Sequence, residues 1–174
     1  MSDLRFDEDG LLPCVIQDWD TGEVLTLAYV NELALRRTRE TGEMHLWSRS
    51  RGELWHKGAT SGNTQRVMAL RVDCDADSVL ALVVPNGPAC HTGERTCFHD
   101  GELEPLAPHE VLPGLERTLE ERALRRPEGS YTAALLDAPQ LVGEKVMEEA
   151  EEVARDAREE SDERVDNEAA DLLY

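Results

Sequence analysis

The chain has few aromatic residues, about half as many basic residues as acidic ones, and no long apolar run. Aromatic side chains make up 5% of its 174 residues, whereas 40% are hydrophobic. This balance is normal for a globular protein with a buried core and carries no signature of disorder. The length suits one domain or two small ones. No apolar run approaches the ~20 residues that a membrane-spanning helix needs, so we expect no membrane partner.

The charge restricts the partners further. The chain has 37 acidic and 18 basic residues, for a formal net charge of −19. Because nucleic-acid binding requires clustered Lys and Arg, we expect no nucleic-acid partner. The N-terminus lacks the basic and apolar regions of a secretory signal, so a cytoplasmic location is expected. An acidic run over residues 144–171 is by itself typical of a solvated helix face.

Two segments of different composition predict an α+β fold. Residues 11–100 contain short strand-like runs with turn signals, and residues 110–174 are rich in Ala, Leu, Glu and Arg, as helices are. A polar, proline-bearing linker over residues 100–109 separates them. We therefore predict a small, mostly-β first domain over residues 1–105 and an all-α second domain over residues 106–174.

Local signals predict individual elements. Asn31 is a good helix N-cap, and Gly42 follows the expected end of that helix near Glu40. Trp47 and Trp55 are expected to lie near one another across a hairpin. The predicted strands cover residues 11–18, 24–29, 44–50, 53–57, 67–73 and 79–84, and the predicted helices of the second domain cover 113–125, 140–159 and 163–174.

Three of the four cysteines predict a metal site, since disulfides are rare in the cytoplasm. Cys14 stands alone and is assigned to core packing. Three thiolates with an open fourth position, offered by Cys74, Cys90 and Cys97, are typical of a catalytic zinc. Two alternatives stay open: a structural zinc site completed by a histidine such as His91 or His99, and three buried free thiols.

The aspartates around Cys74 predict a second metal. If the preceding strand continues, Asp73, Asp75 and Asp77 share one face and Cys74 lies on the other. Carboxylate oxygens suit magnesium, although an exposed acidic turn is an equal alternative. Side chains on opposite faces of one strand cannot easily bind metals in the same pocket. A homodimer would solve this, with Cys74 completing the zinc site of one subunit and the aspartates lining the neighbouring site.

A basic segment over residues 47–62 predicts phosphate binding, because it combines cationic side chains, hydroxyls and glycine amides. The alternative is a charged, solvated hairpin tip. The candidate phosphate ligands are Arg49, Arg51, Lys57, Thr60 and Ser61.

Four motifs occur in order: Asp-Trp-x-Thr-Gly-Glu-Val-Leu, Trp-Ser-Arg-Ser-Arg-Gly-x-Leu-Trp, Asp-Cys-Asp-x-Asp and Ala-Cys-His-Thr-Gly-x-x-x-Cys-Phe. Together they closely resemble phosphoribosyl-AMP cyclohydrolase over about residues 10–100. The resemblance implies a homodimer with active sites at the subunit interface. It also implies zinc on Cys74, Cys90 and Cys97, with Cys74 supplied by the second subunit, and magnesium on Asp73, Asp75 and Asp77.

The implied substrate is phosphoribosyl-AMP. In this chemistry, water activated by zinc attacks C6 of the adenine ring and the C6–N1 bond breaks. His91 is our candidate proton shuttle, since imidazole titrates near neutral pH. Its alternatives are a supporting hydrogen bond and zinc ligation.

Four further motifs lie in the helical segment: Leu-Glu-Arg-Thr-Leu-Glu-Glu-Arg from Leu115, Pro-Glu-Gly-Ser-Tyr-Thr from Pro127, Glu-Glu-Ala-Glu-Glu from Glu148 and Glu-Ala-Ala-Asp from Glu168. Together they resemble phosphoribosyl-ATP pyrophosphohydrolase, which catalyses the preceding step. Spacings of three place Glu149 with Glu152 on one helix face, and Glu168 with Asp171 on another. The resemblance implies that these four hold magnesium for hydrolysis of phosphoribosyl-ATP to phosphoribosyl-AMP and pyrophosphate. The chain ends within a helical pattern with no stop signal, so we expect an incomplete second domain, which places its activity in doubt.

Two other functions account for parts of the sequence. A non-catalytic, zinc-stabilised protein-binding module would explain the cysteines and the acidic helices, but it leaves the basic hairpin and the three aspartates without a purpose. A nucleotide pyrophosphatase with a purely structural zinc domain would explain the acidic helices and the thiols.

Overall fold

The structure is a computed structural model, and it describes residues 4–101, 108–159 and 161–174. The chain forms two compact units, Met1–Glu110 and Val111–Tyr174. The first is mostly β and the second helical, which confirms the predicted α+β fold. The predicted domain boundary between residues 105 and 106 lies outside the described residues, as does most of the predicted linker.

The elements of the first unit are β1 (Leu12–Asp18), β2 (Val24–Val30), α1 (Glu32–Thr41), β3 (His45–Ser48), β4 (Glu53–His56), β5 (Gln65–Val72) and β6 (Val79–Pro85). Four strands form one sheet in the order β2-β1-β6-β5, and β3 and β4 form a separate hairpin. Strands β1 and β6 run parallel, whereas the other neighbours are antiparallel. Strand β2 therefore lies at one edge of the sheet, and the chain segment that follows β6 reaches it.

The core lies against one face of this sheet. Alternate residues of β1 point inward, so that Leu12, Cys14 and Ile16 are each at most 1% exposed. Burial raises the pKa of the Cys14 thiol to about 12, as expected for a cysteine that serves packing. Residues of α1 and the hairpin, including Leu35 and Leu46, complete the core.

The ends of α1 follow from their capping residues. Asn31 Oδ1 accepts a hydrogen bond from the Ala34 amide at 2.8 Å, as an N-cap does. Gly42 takes a φ of 73°, and its amide donates to the Thr38 carbonyl. Both predicted caps are confirmed. The helix contacts β2 and the hairpin, which connects it to the segment that carries the basic residues.

The hairpin register determines which faces Trp47 and Trp55 occupy. Leu46 lies opposite Trp55, and Trp47 lies opposite Leu54. Paired residues share a face and successive residues alternate, so the two tryptophans project from opposite faces. Both nevertheless line one cleft beside the hairpin, so their expected proximity stays a prediction.

The second unit consists of helices, α2 (Pro108–Arg125), α3 (Tyr131–Asp137), α4 (Pro139–Glu159) and α5 (Asp162–Leu173). Helix α3 was not predicted, although Ser130 caps it by accepting the Ala133 amide at 3.3 Å. Helices α4 and α5 pack together, and α3 contacts α4. Within the described parts of the chain, no helix has the length and apolar character needed to cross a membrane.

Candidate metal centres

The segment after β6, residues 88–98, forms a thiol loop that is fixed to the edge of the sheet. The Cys90 amide donates to the Glu94 carbonyl at 3.0 Å, which closes the loop on itself. The Cys97 amide donates to the Leu25 carbonyl at 2.8 Å. Thr96 Oγ1 donates to the Val24 carbonyl at 2.7 Å. These bonds to β2 hold Cys90 and Cys97 on the wall of one cleft.

The environment of Cys90 favours its thiolate. Thr92 Oγ1 donates to Cys90 Sγ at 3.1 Å, and His91 Nδ1 lies 3.8 Å from the same sulfur. The hydrogen bonds from Thr92 lower the pKa of Cys90 to about 6, with smaller contributions from Cys97 and His91. A thiol that is ionised at neutral pH is ready to act as a metal ligand.

Cys74 lies apart from this pair. It is exposed on the turn between β5 and β6, whereas Cys90 is buried. Across the described ranges, the groups of three or more His, Cys, Asp or Glu with donor atoms within 4.8 Å of one another are two sets of carboxylates. Among the described residues, one protomer thus does not gather the three predicted zinc ligands.

Asp73, Asp75 and Asp77 form the first carboxylate group, and a turn brings them together. Strand β5 ends at Val72, so the condition under which the aspartates would share one strand face is not met. Asp73 Oδ1 instead accepts the amides of Asp77 and Ser78, each at 3.1 Å. This side-chain bonding competes with strand pairing and folds the segment into a turn. All three carboxylates are exposed.

The electrostatics of this turn fit a cation. Hydrogen bonds from Ser78 lower the pKa of Asp73 to about 2. The pKa of Asp77 is raised, chiefly through its hydrogen bond with Asp73 and then through repulsion from Asp75. A divalent cation with oxygen ligands would relieve this repulsion.

A cleft of about 570 Å³ joins the thiol loop to the hairpin. Residues of both predicted sets line it, namely Arg51, Lys57, Thr60, Ser61, Cys90, His91 and Cys97. Arg49 lines a neighbouring cleft, where its guanidinium lies 3.8 Å from the centre of the Tyr29 ring. The structure therefore brings four of the five candidate phosphate ligands to the thiols.

Lys57 differs from the other basic residues of the cleft because it is buried. Its Nζ donates to the Ala89 carbonyl at 2.9 Å. Burial lowers the pKa of Lys57, and the negative charges of Cys97 and Cys90 act in the opposite direction. Arg51 is exposed and forms an ion pair with Glu53 at 3.0 Å.

The second carboxylate group lies in the helical unit. Glu149 and Glu152 of α4 and Glu168 of α5 place their oxygens within 4.8 Å of one another. Asp171, the predicted fourth ligand, is not in this group. It lies with Glu149 on the wall of a cleft of about 550 Å³. Burial raises the pKa of Glu168, and repulsion from Glu152 adds to this effect.

Sequence reasoning missed Asp156, which is 1% exposed. It accepts hydrogen bonds from Arg155 Nε at 2.9 Å and Arg164 Nε at 3.3 Å. Arg164 also pairs with Glu168 at 2.9 Å, so it links the buried aspartate to the carboxylate group. The available signal was the spacing of four from Glu152, which places both acids on one helix face.

Thiols beside a basic cleft, together with two groups of carboxylates, define a two-domain, metal-dependent hydrolase. A model of the phosphoribosyl-AMP cyclohydrolase family matches residues 26–99, and one of the phosphoribosyl-ATP pyrophosphohydrolase family matches residues 112–174. The chain belongs to the family of bifunctional histidine biosynthesis proteins called HisIE, which confirms the resemblance found in its motifs.

Three relatives illustrate the match, and each is named histidine biosynthesis bifunctional protein HisIE. The protein of Bacillus subtilis is 49% identical over 99% of this chain and 84% of its own length. The protein of Thermus thermophilus is 49% identical over 100% of this chain and 82% of its own length. The protein of Gloeobacter violaceus is 50% identical over 98% of this chain and 79% of its own length. These matches give no evidence for the expected truncation of the second domain.

Proposed function

We propose that the first unit opens the adenine ring of phosphoribosyl-AMP and that the second hydrolyses phosphoribosyl-ATP to phosphoribosyl-AMP and pyrophosphate. The observation that carries the first assignment is the convergence of Cys90, Cys97 and His91 with a basic hairpin in one cleft. The two reactions are consecutive, because the product of the second unit is the substrate of the first.

Zinc fits the thiol site. Cys90 and Cys97 lie on one cleft wall, and hydrogen bonding favours the thiolate of Cys90. Thiolates are the ligands that zinc prefers. We assign Cys74 of a second subunit as the third ligand, which makes the active unit a homodimer. When bound, zinc supplies a water that is acidic near neutral pH.

The reaction requires two proton movements. The phosphoribosyl group on N1 makes the ring cationic, so C6 is open to attack by water. As the oxygen of water adds to C6, one proton must be removed. As the C6–N1 bond breaks, N1 must receive one, and the second water proton is released to solvent. We propose that His91, which lies on the cleft wall beside Cys90, takes the first proton from the water and delivers it to N1.

Magnesium fits both carboxylate groups, since each consists of oxygen ligands held within 4.8 Å of one another. We assign Asp73, Asp75 and Asp77 to a magnesium in the cyclohydrolase site. In the helical unit, Glu149, Glu152 and Glu168 would hold magnesium, with Asp171 as a further ligand. Bound there, magnesium would neutralise the triphosphate of phosphoribosyl-ATP.

The substrate phosphates of phosphoribosyl-AMP need cationic and hydroxyl groups. Arg51, Thr60 and Ser61 line the cleft, and Arg49 lines the neighbouring cleft. We assign these residues to phosphate binding. We also propose that the chain binds no nucleic acid, which its acidic composition supports. The absence of a membrane partner and a cytoplasmic location belong to the same proposal.

The test is turnover of phosphoribosyl-AMP by the purified chain, followed by the absorbance change of ring opening. Turnover should require zinc and magnesium and should stop on chelation. Asp75→Asn should abolish turnover while the protein stays folded and keeps its zinc. A folded, zinc-loaded chain with no turnover would refute the cyclohydrolase assignment and favour a non-catalytic, zinc-stabilised module.

A further inference from the structure

Lys57 carries its charge on a side chain that is almost fully buried. The residue is 7% exposed. Its Nζ donates to the Ala89 carbonyl at 2.9 Å and lies 5.6 Å from the centre of the Trp55 ring. A buried ammonium is stable only with hydrogen-bond and charge partners. Its surroundings therefore show what the lysine is built to contact.

Those partners belong to the thiol loop. Ala89 immediately precedes Cys90, so the lysine fixes the backbone at the first thiol of the loop. The acidic groups that favour the charged form of Lys57, and so raise its pKa against the effect of burial, are Cys97 and Cys90. Three thiolates around one Zn²⁺ leave a net charge of −1, which a neighbouring ammonium offsets.

A phosphate ligand would have a different environment. It would present its charge on an exposed side chain, as Arg51 does with 55% exposure, whereas Lys57 lines the same cleft with only 7% of its surface exposed. Lys57 instead uses a donor on a backbone carbonyl 32 residues away in the chain. Such a contact serves to hold two segments together.

We propose that Lys57 is a positioning residue for the zinc ligands and not a phosphate ligand. It fixes the backbone between Ala89 and Cys90 and offsets the charge of the thiolates. This inference rests on the proposed zinc site and replaces the phosphate contact expected for Lys57.

The test compares Lys57→Met, Lys57→Arg and Arg51→Gln in the full, zinc-loaded chain. Zinc transfer to a colorimetric chelator gives one readout, and kcat and KM for phosphoribosyl-AMP give the other. Lys57→Met should weaken zinc retention about 10- to 100-fold, the usual effect of removing a group that supports metal ligands. It should lower kcat more than it raises KM, and Lys57→Arg should restore part of the zinc retention. Arg51→Gln should raise KM and leave zinc transfer unchanged.

Two results would overturn the proposal. One is Lys57→Met with wild-type zinc transfer and a raised KM, which would make Lys57 a phosphate ligand. The other, which applies if Lys57→Met does not fold, is Lys57→Gln with wild-type zinc transfer and a raised KM, because glutamine lacks the charge that the proposal requires. A wild-type chain that binds no zinc would instead refute the proposed function itself.

Discussion

Replacing Gly58 with alanine tests how closely the segment after β4 folds back on itself. Gly58 follows Lys57 and has a φ of 85°, a left-handed conformation that side chains disfavour. Its carbonyl accepts the Gly62 amide at 2.8 Å. A Cβ at Gly58 would overlap the carbonyl group of Asn63 and the backbone nitrogen of Thr64. Backbone atoms cannot rotate away as a side chain can, so the loop itself would have to move.

Gly62 provides a matched control. It has a φ of 80°, and a Cβ there would meet nothing within 4 Å. Both substitutions carry the left-handed cost of about 1–2 kcal/mol, partly offset by a stiffer unfolded chain, about 0.4–1 kcal/mol. These contributions cancel in the comparison. The difference between the variants then isolates the steric overlap at Gly58, about 1–3 kcal/mol.

Tryptophan fluorescence gives the appropriate assay, since the chain has three tryptophans and Trp19, Trp47 and Trp55 all lie in the first unit. It therefore follows that unit without interference from the helices. For a unit of this size, the expected difference in Tm between the two variants is roughly 5–20 °C. Equal Tm values for Gly58→Ala and Gly62→Ala would refute the reasoning, because no close backbone approach would then exist at Gly58.

Two further predictions concern ionisation. In the metal-free protein, the alkylation rate of Cys90 should rise through a pH of about 6 and level off above it, while Cys14, whose pKa is about 12, stays unreactive. Mass spectrometry after alkylation at a series of pH values measures both rates. A midpoint near that of free cysteine would contradict the prediction. Because burial raises the pKa of Glu168, its charge disfavours folding, so stability should fall as pH rises from the ordinary glutamate value through the raised one. Glu168→Gln should then raise the melting temperature of the metal-free helices at neutral pH and remove their stabilisation by magnesium, as followed by circular dichroism. A lower melting temperature in the variant would contradict this.

The sequence predicted those parts of the fold that depend on local contacts. Asn31 and Gly42 act within one turn of the helix that they delimit, so their residue types alone indicated the helix ends. The parallel pairing of β1 with β6 could not be inferred in this way, because paired residues such as Cys14 and Val79 lie far apart in the sequence. Helix α3 was missed for another reason. Its seven residues are too few for a clear apolar period.

The candidate sites show the same division. Residue types and motifs indicated the thiols and carboxylates, but the strand pattern misplaced the aspartates, since it could not include the bonding of Asp73 to the Ser78 amide. The sequence also could not predict that Lys57 is buried and Arg51 exposed, because both are cationic residues of one basic segment. Asp156 escaped notice because its two arginine partners are specified only when α4 and α5 pack together.

The attachment of the thiol loop to β2 has a consequence for solubility. An edge strand with free backbone groups invites pairing with other chains, and β2 also exposes Leu27 by 50% and Val24 by 39%. The hydrogen bonds from Cys97 and Thr96 occupy part of that edge. A metal that holds Cys97 in place would thereby keep the edge capped. If the proposed metal binds at Cys97, its removal is expected to promote strand-to-strand aggregation through β2 before the helices or the rest of the sheet unfold.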